Sequence, residues 1–179
     1  MVVASPGSEA AALGFSARTG IRYEAAIRAQ LAPSGPVETP GAHPTAYCAA
    51  PSVLEHRRVA LVSTVLGDGR DIRAQVRAIR QAGPAEVHLR VILPPVSRPC
   101  PYGVSVPARE GLMALRDEDQ ETLRLSLGVD SIMHLSKGAV EAAWDQGRPV
   151  SPCMGCMGGD WPIDIDERDD QLGLFESGR

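Results

Sequence analysis

A chain of 179 residues, 44% of them hydrophobic, is long enough for one domain with a real core, and with only 4% aromatic residues that core must be built from Ala, Val, Leu and Ile. The net charge of −4, with acidic residues gathered between Asp160 and Glu176, gives no basic field for nucleic acid, and the scattered aromatics give no surface for base stacking. No apolar run approaches the roughly 20 residues of a membrane span and the first residues lack a signal peptide's basic region, so the expectation is a soluble cytoplasmic protein that meets neither nucleic acid nor membrane.

In chain order, residues 2–4 suit a first strand, and Ser8 is placed to cap a helix over 10–19 that Gly20 stops. The short apolar pattern of 21–32 fits a strand and then a helix. Residues 33–51 are rich in Pro, Gly, Ser and Ala, which predicts a long flexible loop of the kind that often carries function.

The organising unit follows at 59–92. Residues 59–62 are apolar and rich in β-branched types; from Ile72 the pattern changes to apolar residues at Ile72, Val76 and Ile79 with arginines between, a strand followed by a one-sided helix. Asp71 is placed to cap the helix, Gly83 and Pro84 to end it, and Val87, Leu89 and Val91 resume a period of two. The crossover fits a right-handed βαβ unit. Chemistry in such a unit sits in the turn after the first strand, where backbone N–H groups at the helix start face an anion. That turn is Ser63 to Arg70. Gly67 and Gly69 let the backbone approach a ligand or take positive φ, whereas Asp68 and Asp71 repel a phosphate unless a metal ion lies between. The same residues also suit an ordinary βα turn.

Residues 93–107 are too rich in proline for a helix; helices are predicted from Pro107 to Leu115 and over 117–128, a strand over 131–135, and a helix over 137–146 started by Ser136. Strand alternating with helix predicts an α/β fold with a mainly parallel central sheet flanked by helices, one domain over 1–165 and a disordered acidic tail over 166–179, unless Leu172, Leu174 and Phe175 dock on a partner. His88 reads as a sheet-face histidine, and His134 stands at a strand end near the expected mouth of the site.

Of the cysteines Cys48, Cys100, Cys153 and Cys156, the last two form CMGC among glycines, and Cys100 lies between two prolines. Thiolates from separate loops suit a four-iron cluster or, with different geometry, zinc; incidental thiols in a reducing compartment are the plainer alternative. A second CxxC pair, which a zinc ribbon needs, is absent.

The stretches AGPAEVHLRVILPPVSRPCPYGVSVPAREGLMAL, LGVDSIMHLSKGAVEAAW and CMGCMGGDWPIDI closely resemble the C-terminal half of glutamine phosphoribosylpyrophosphate amidotransferase, and 4–24 resembles that family's first turn and helix more weakly. The resemblance implies a type I phosphoribosyltransferase fold, an activity of purine synthesis and, as in some members, a four-iron cluster on the cysteines matching Cys100, Cys153 and Cys156. It also exposes departures. Nothing here corresponds to the family's glutaminase domain, so the expectation is a chain that cannot release ammonia from glutamine. The family's acidic pair is Ser63 and Thr64; its SIVRGTT loop reads VLGDGRD, retaining Gly69 but with Asp68, Arg70 and Asp71 at the contact positions. The VPDSG turn has become SPGSE with Gly7 for its Asp, and the flexible loop, aligned with 28–36, has lost its Tyr and most basic residues. The fourth cluster ligand comes from before this segment, leaving Cys48 as a candidate replacement.

Three readings follow. The first is an inactive or altered phosphoribosyltransferase-like protein, acting as partner or regulatory subunit of another enzyme or as a homo-oligomer. The second is an active transferase with a phosphorylated sugar ligand and an amine acceptor, Arg70 holding phosphate and Asp68 or Asp71 holding Mg²⁺. The third is an iron–sulfur or zinc protein.

Overall fold

The computed structural model describes residues 1–30, 46–102, 111–113, 119–145 and 151–163. In chain order these form β1 (Val2–Ala4), α1 (Glu9–Thr19), β2 (Ile27–Gln30), β3 (Ala46–Ala49), α2 (Pro51–Leu54), β4 (Arg58–Ser63), α3 (Arg70–Gln81), β5 (Glu86–Val91), α4 (Gln120–Leu127), β6 (Ser131–His134), α5 (Lys137–Trp144) and a 3₁₀ turn at Gly155–Met157. β1, β4, β5 and β6 make a four-stranded parallel sheet in the order β1-β4-β5-β6, and β2 and β3 make a separate antiparallel ribbon.

The α/β prediction holds because alternation and period are strong where the core is. Val59, Leu61, Val87, Leu89 and Ile132 turn toward the face covered by α3 and α4, whose Ile72, Val76, Ile79, Leu123 and Leu127 complete one continuous core. A smaller cluster of Val2, Ala4, Ala12 and Val62 lies under α1 on the other face. The predicted stops hold at Gly20, left-handed just past α1, and at Gly83, one residue beyond the α3 cap; Gly128, read as the last residue of a helix, takes the left-handed conformation just past α4. The hydroxyl of Ser136 accepts from the N–H of Ala139 and caps α5 as expected.

Four expectations change. Residues 33–51 do not form one loop: Ala46–Ala49 is β3, paired with β2 from Ile27↔Ala49 to Gln30↔Ala46, and Pro51 starts α2. A four-residue strand among prolines carries no periodic signal of its own and is held by its partner strand and by α3 beneath it. Asp71 does not cap α3. The cap position is Gly69, at φ 72°, and the Asp71 side chain bonds elsewhere. Ser8 stands at the cap of α1, but its hydroxyl accepts from the N–H of Thr64 at 3.0 Å instead of capping its own helix. The pattern at 21–32 yields a bridge from Tyr23 to Val2 and the strand β2, with no helix among the described residues. The helix predicted from Pro107 to Leu115, the rest of the 33–51 stretch before Ala46, and the acidic tail with its boundary at 165 lie outside the described residues.

Candidate functional site

The C-terminal edge of a parallel sheet is where a doubly wound fold gathers ligand groups, and here two turns meet at that edge. The N–H of Ser5, just past β1, donates to the carbonyl of Val62 at 2.8 Å, and the Thr64 N–H to the Ser8 hydroxyl. Ser5, Ser8 and Ser63 are buried. The edge beside Ser63 and Thr64 therefore carries hydroxyls and no carboxylate of its own.

From Ser63 the chain turns into α3 through Gly67, Asp68 and Gly69. Gly69 is required twice over: its φ is positive, and an added Cβ would stand 1.9 Å from the sulfur of Met113. Met113 is fully buried, and its N–H donates to the carbonyl of Gly67 at 3.0 Å, so its side chain is packed against the turn. Asp68 then folds back on the helix start. One carboxylate oxygen accepts the N–H of Arg70 at 3.0 Å and the other its Nε at 2.5 Å, and Nη2 of Arg73 donates to the Asp68 carbonyl. The first N–H groups of a helix are an anion site; here one of them is bound to a carboxylate of the turn itself.

Asp71 faces the ribbon. Its carboxylate accepts the O–H of Tyr47 on β3 and the Nε2 of Gln75 at 2.9 Å. Burial first, and then the bond to Asp71, push the Tyr47 hydroxyl up to about 12. Gln75 is fully buried, and its Oε1 has no partner among the described residues. His134 ends β6 opposite Val91; its Nε2 is likewise buried without a partner, and burial holds the imidazole below its ordinary 6.5.

The cysteine segments meet at the loop leaving β5. The carbonyl of Cys156 accepts the N–H groups of Ser97 at 2.8 Å and Arg98 at 3.2 Å. Arg98 donates Nε and Nη2 to the carbonyl of Gly155, at 3.0 and 2.7 Å, and Nη2 also to that of Gly159. Trp161 lies over Gly155, where a Cβ would stand 1.9 Å from its ring, and Arg98 sits 5.1 Å from the ring centroid. Tyr102 meets Trp161 edge to face at 5.8 Å. Burial first, then the charge of Cys100, with Cys153 adding to it, raise the Cys156 thiol, partly offset by its own backbone and Arg98. All four cysteines are free of disulfides. Cys48 lies exposed on β3 and its sulfur accepts Nε2 of Gln30 at 2.7 Å. Among the described residues, no group of three or more His, Cys, Asp and Glu is placed to hold a metal ion.

The structure thus brings Ser63, Thr64, Gly67, Asp68, Gly69, Arg70 and Asp71 into one turn and three of the four cysteines into one corner. Arg70 is paired with Asp68, and its side chain is 82% exposed. Tyr47, Gln75, Met113, Arg98 and Trp161 were not legible as site residues. Gly155 beside a nearby Trp was the one available hint of a tight approach. A cavity of ≈ 480 Å³ lined by Ile21, Arg22, Ser52, Val53 and Arg57 opens at the other edge of the sheet, away from both regions.

A four-stranded parallel sheet flanked by helices, with an antiparallel ribbon over the helix that follows the central turn, is the fold of the type I phosphoribosyltransferases. No protein-family model matches the chain. It is 30% identical over 171 residues to the chloroplastic amidophosphoribosyltransferase of Vigna aconitifolia, covering 91% of this chain and 35% of that protein. The solved glutamine phosphoribosylpyrophosphate amidotransferase of Bacillus subtilis, complexed with ADP and GMP, superposes with a TM-score of 0.76 at 27% identity over 93% of this chain and 38% of its own. A structure described as the allosteric regulatory enzyme of purine biosynthesis superposes with a TM-score of 0.78 at 26% identity and the same coverage. The chain is a relative of the amidophosphoribosyltransferases and carries their phosphoribosyltransferase part, spanning about a third of the length of the curated relatives it matches. Among the described residues no helix is long and apolar enough to cross a membrane.

Proposed function

We propose that this chain is an amidophosphoribosyltransferase-like protein that has given up phosphoribosylpyrophosphate and acts by association, as partner or regulatory subunit of another biosynthetic enzyme. One observation carries the reading: the β4–α3 turn has spent its own groups. Asp68 holds the Arg70 N–H and guanidinium, Tyr47 and Gln75 hold Asp71, and Met113 is packed on Gly69. An incoming 5′-phosphate must displace a tethered carboxylate from the helix start and separate an ion pair, with no acidic pair at Ser63 and Thr64 to seat Mg²⁺ and the ribose. The active-transferase reading needs Arg70 free to take that phosphate, and the pairing with Asp68 weighs against it.

The second part of the reading is metal. Cys100, Cys153 and Cys156 would hold an iron–sulfur cluster whose role is to cross-link the loop after β5 to the 153–163 segment, adding to the Arg98 clamp already there.

Titration calorimetry of phosphoribosylpyrophosphate with Mg²⁺ into protein purified without oxygen tests the first part. No heat of binding is expected up to about 1 mM ligand. Micromolar binding would overturn the reading and turn the search to amine acceptors.

A further inference from the structure

We infer that the cavity at the N-terminal edge of the parallel sheet binds a small organic anion, one carboxylate or phosphate group on an apolar body, with Arg57 as the group that holds its charge. The cavity shares no residue with the β4–α3 turn or the cysteine corner, so the inference is independent of phosphoribosylpyrophosphate binding.

The walls are set by backbone. Residues 21–24 run beside β1: the Val2 N–H donates to the Arg22 carbonyl at 2.8 Å, the Glu24 N–H to the Val2 carbonyl at 2.9 Å, and Tyr23 forms a parallel bridge with Val2. Met1 closes the floor, its ammonium donating to the Arg58 carbonyl at 2.6 Å and its carbonyl accepting the Ala60 N–H at 2.8 Å. The opposite wall is α2 with the turn that follows it, which brings in Ser52, Val53 and Arg57. That turn is tied down. His56 stands at φ 60°, a setting that a β-carbon disfavours, and its N–H donates to the Gly83 carbonyl at 2.8 Å. The Arg57 main chain is held on both sides, by the Leu54 carbonyl at 3.0 Å and the Ala85 N–H at 2.8 Å. Both arginines therefore line the cavity from a fixed backbone, with only their side chains free to adjust.

The charges there do not cancel. Glu24 is paired with Nε of Arg22 at 2.5 Å, and Arg58 is paired with Glu86 outside the cavity. Glu55 has its ion-pair contact with His56. Among the described residues the Arg57 guanidinium has no carboxylate at ion-pair distance, and its fork matches the oxygens of a carboxylate or a phosphate. The Ser52 hydroxyl adds a donor on the same wall. An inorganic ion would use little of the space, because the cavity holds ≈ 480 Å³, within the range of ligand sites. The rest of its wall is apolar: Ile21 is 41% exposed and Val53 is half-buried. Covering that wall favours an anion with an apolar body over a bare ion.

The test is titration of the ¹⁵N-labelled full chain, purified without oxygen, with phenyl phosphate and with benzoate, followed through amide chemical shifts. Binding is expected with a Kd of about 1 mM, in keeping with so few ligand atoms, and with the largest shifts within 21–24 and 52–57. Either ligand binding there supports the inference, and the tighter of the two identifies the head group. Inorganic phosphate and neutral benzyl alcohol, each with half of the recognition, should bind about tenfold more weakly or less. Arg57→Ala, at an exposed position, should keep the parent's spectrum elsewhere and weaken phenyl phosphate about tenfold. Arg77→Ala, which removes an exposed arginine on α3, should change that affinity less than about twofold. Shifts centred on the 67–71 turn, unaltered affinity in Arg57→Ala, equal weakening in Arg77→Ala, or no saturation by about 20 mM of either ligand would each overturn the inference.

Discussion

The β4–α3 turn and the docked cysteine segments stand at the ends of neighbouring strands and are built in opposite ways. In the turn, side chains satisfy one another: Asp68 with Arg70, Asp71 with Tyr47 and Gln75. In the cysteine corner, one side chain, Arg98, satisfies backbone carbonyls, and the thiols take no part in that clamp. A loop that closes on its own charged groups leaves little with which to attract an anion, because the desolvation and pairing energy has already been gained inside the chain. A loop that closes through its backbone keeps its donors available. The contrast is one of construction: the turn is held by pairs of its own side chains, the cysteine corner by one arginine on backbone carbonyls.

Equivalent glycine substitutions sharpen this contrast and have the largest expected effect. Gly69→Ala meets both positive φ and the buried Met113 sulfur, and it lies where the turn joins the main core. It should cost about 2–4 kcal/mol in urea unfolding. Gly155→Ala also collides, with Trp161, but it lies in a segment outside the main core cluster. There the expected loss of global stability is below about 1 kcal/mol, with a rise in Trp161 fluorescence mobility as the ring is expelled. Equal global costs would mean that the two corners are one cooperative unit.

Tyr47→Phe comes next. It removes the donor that ties β3 to Asp71 and leaves the carboxylate with Gln75. Because the pair is only part-buried, the expected cost is about 1 kcal/mol. The sign with pH is specific. The hydroxyl ionises at about 12 when folded and near 10 when unfolded, so its contribution is complete below pH 10 and fades as pH rises toward 12. The Phe variant should lack that alkaline loss; an unchanged alkaline profile would remove Tyr47 from the link.

The parts of this arrangement that sequence makes legible are those set by local pattern. The strand, helix, strand of 59–92 is readable because Val59, Leu61, Ile72, Val76, Ile79, Val87 and Leu89 repeat with the periods of their elements and all face one core. Gly69 and the CMGC cysteines were legible as types. Their settings were not. Whether Asp71 caps a helix or bonds a tyrosine 24 residues earlier depends on β3, a strand without pattern of its own. That Arg98 clamps a turn 57 residues away is a tertiary fact with no local trace, since an arginine in a Pro-rich loop reads the same whether it meets solvent or carbonyls. The family resemblance located the departures at Ser63, Thr64, Asp68, Arg70 and Asp71. Only the geometry shows how the replacements satisfy one another.

The smallest expected effect concerns His134, which belongs to neither corner but ends β6, the last strand in the sheet order. Its Nε2 is buried without a partner among the described residues, and burial is the cause of its lowered proton affinity. The imidazole is therefore neutral in the folded state over a pH range in which the unfolded chain already binds a proton. The sign follows: stability is intact above 6.5 and falls as pH drops below it toward the folded value, because the unfolded state gains the proton first. His134→Gln keeps a polar side chain of similar reach without a titrating group. Its thermal midpoint should change less than that of the parent between pH 7.5 and pH 5.5, values about one unit either side of the ordinary histidine range. Parallel curves would mean that a donor on an adjoining segment already satisfies Nε2. His134 would then be a fixed part of the edge, closer in kind to the self-satisfied β4–α3 turn than to the cysteine corner.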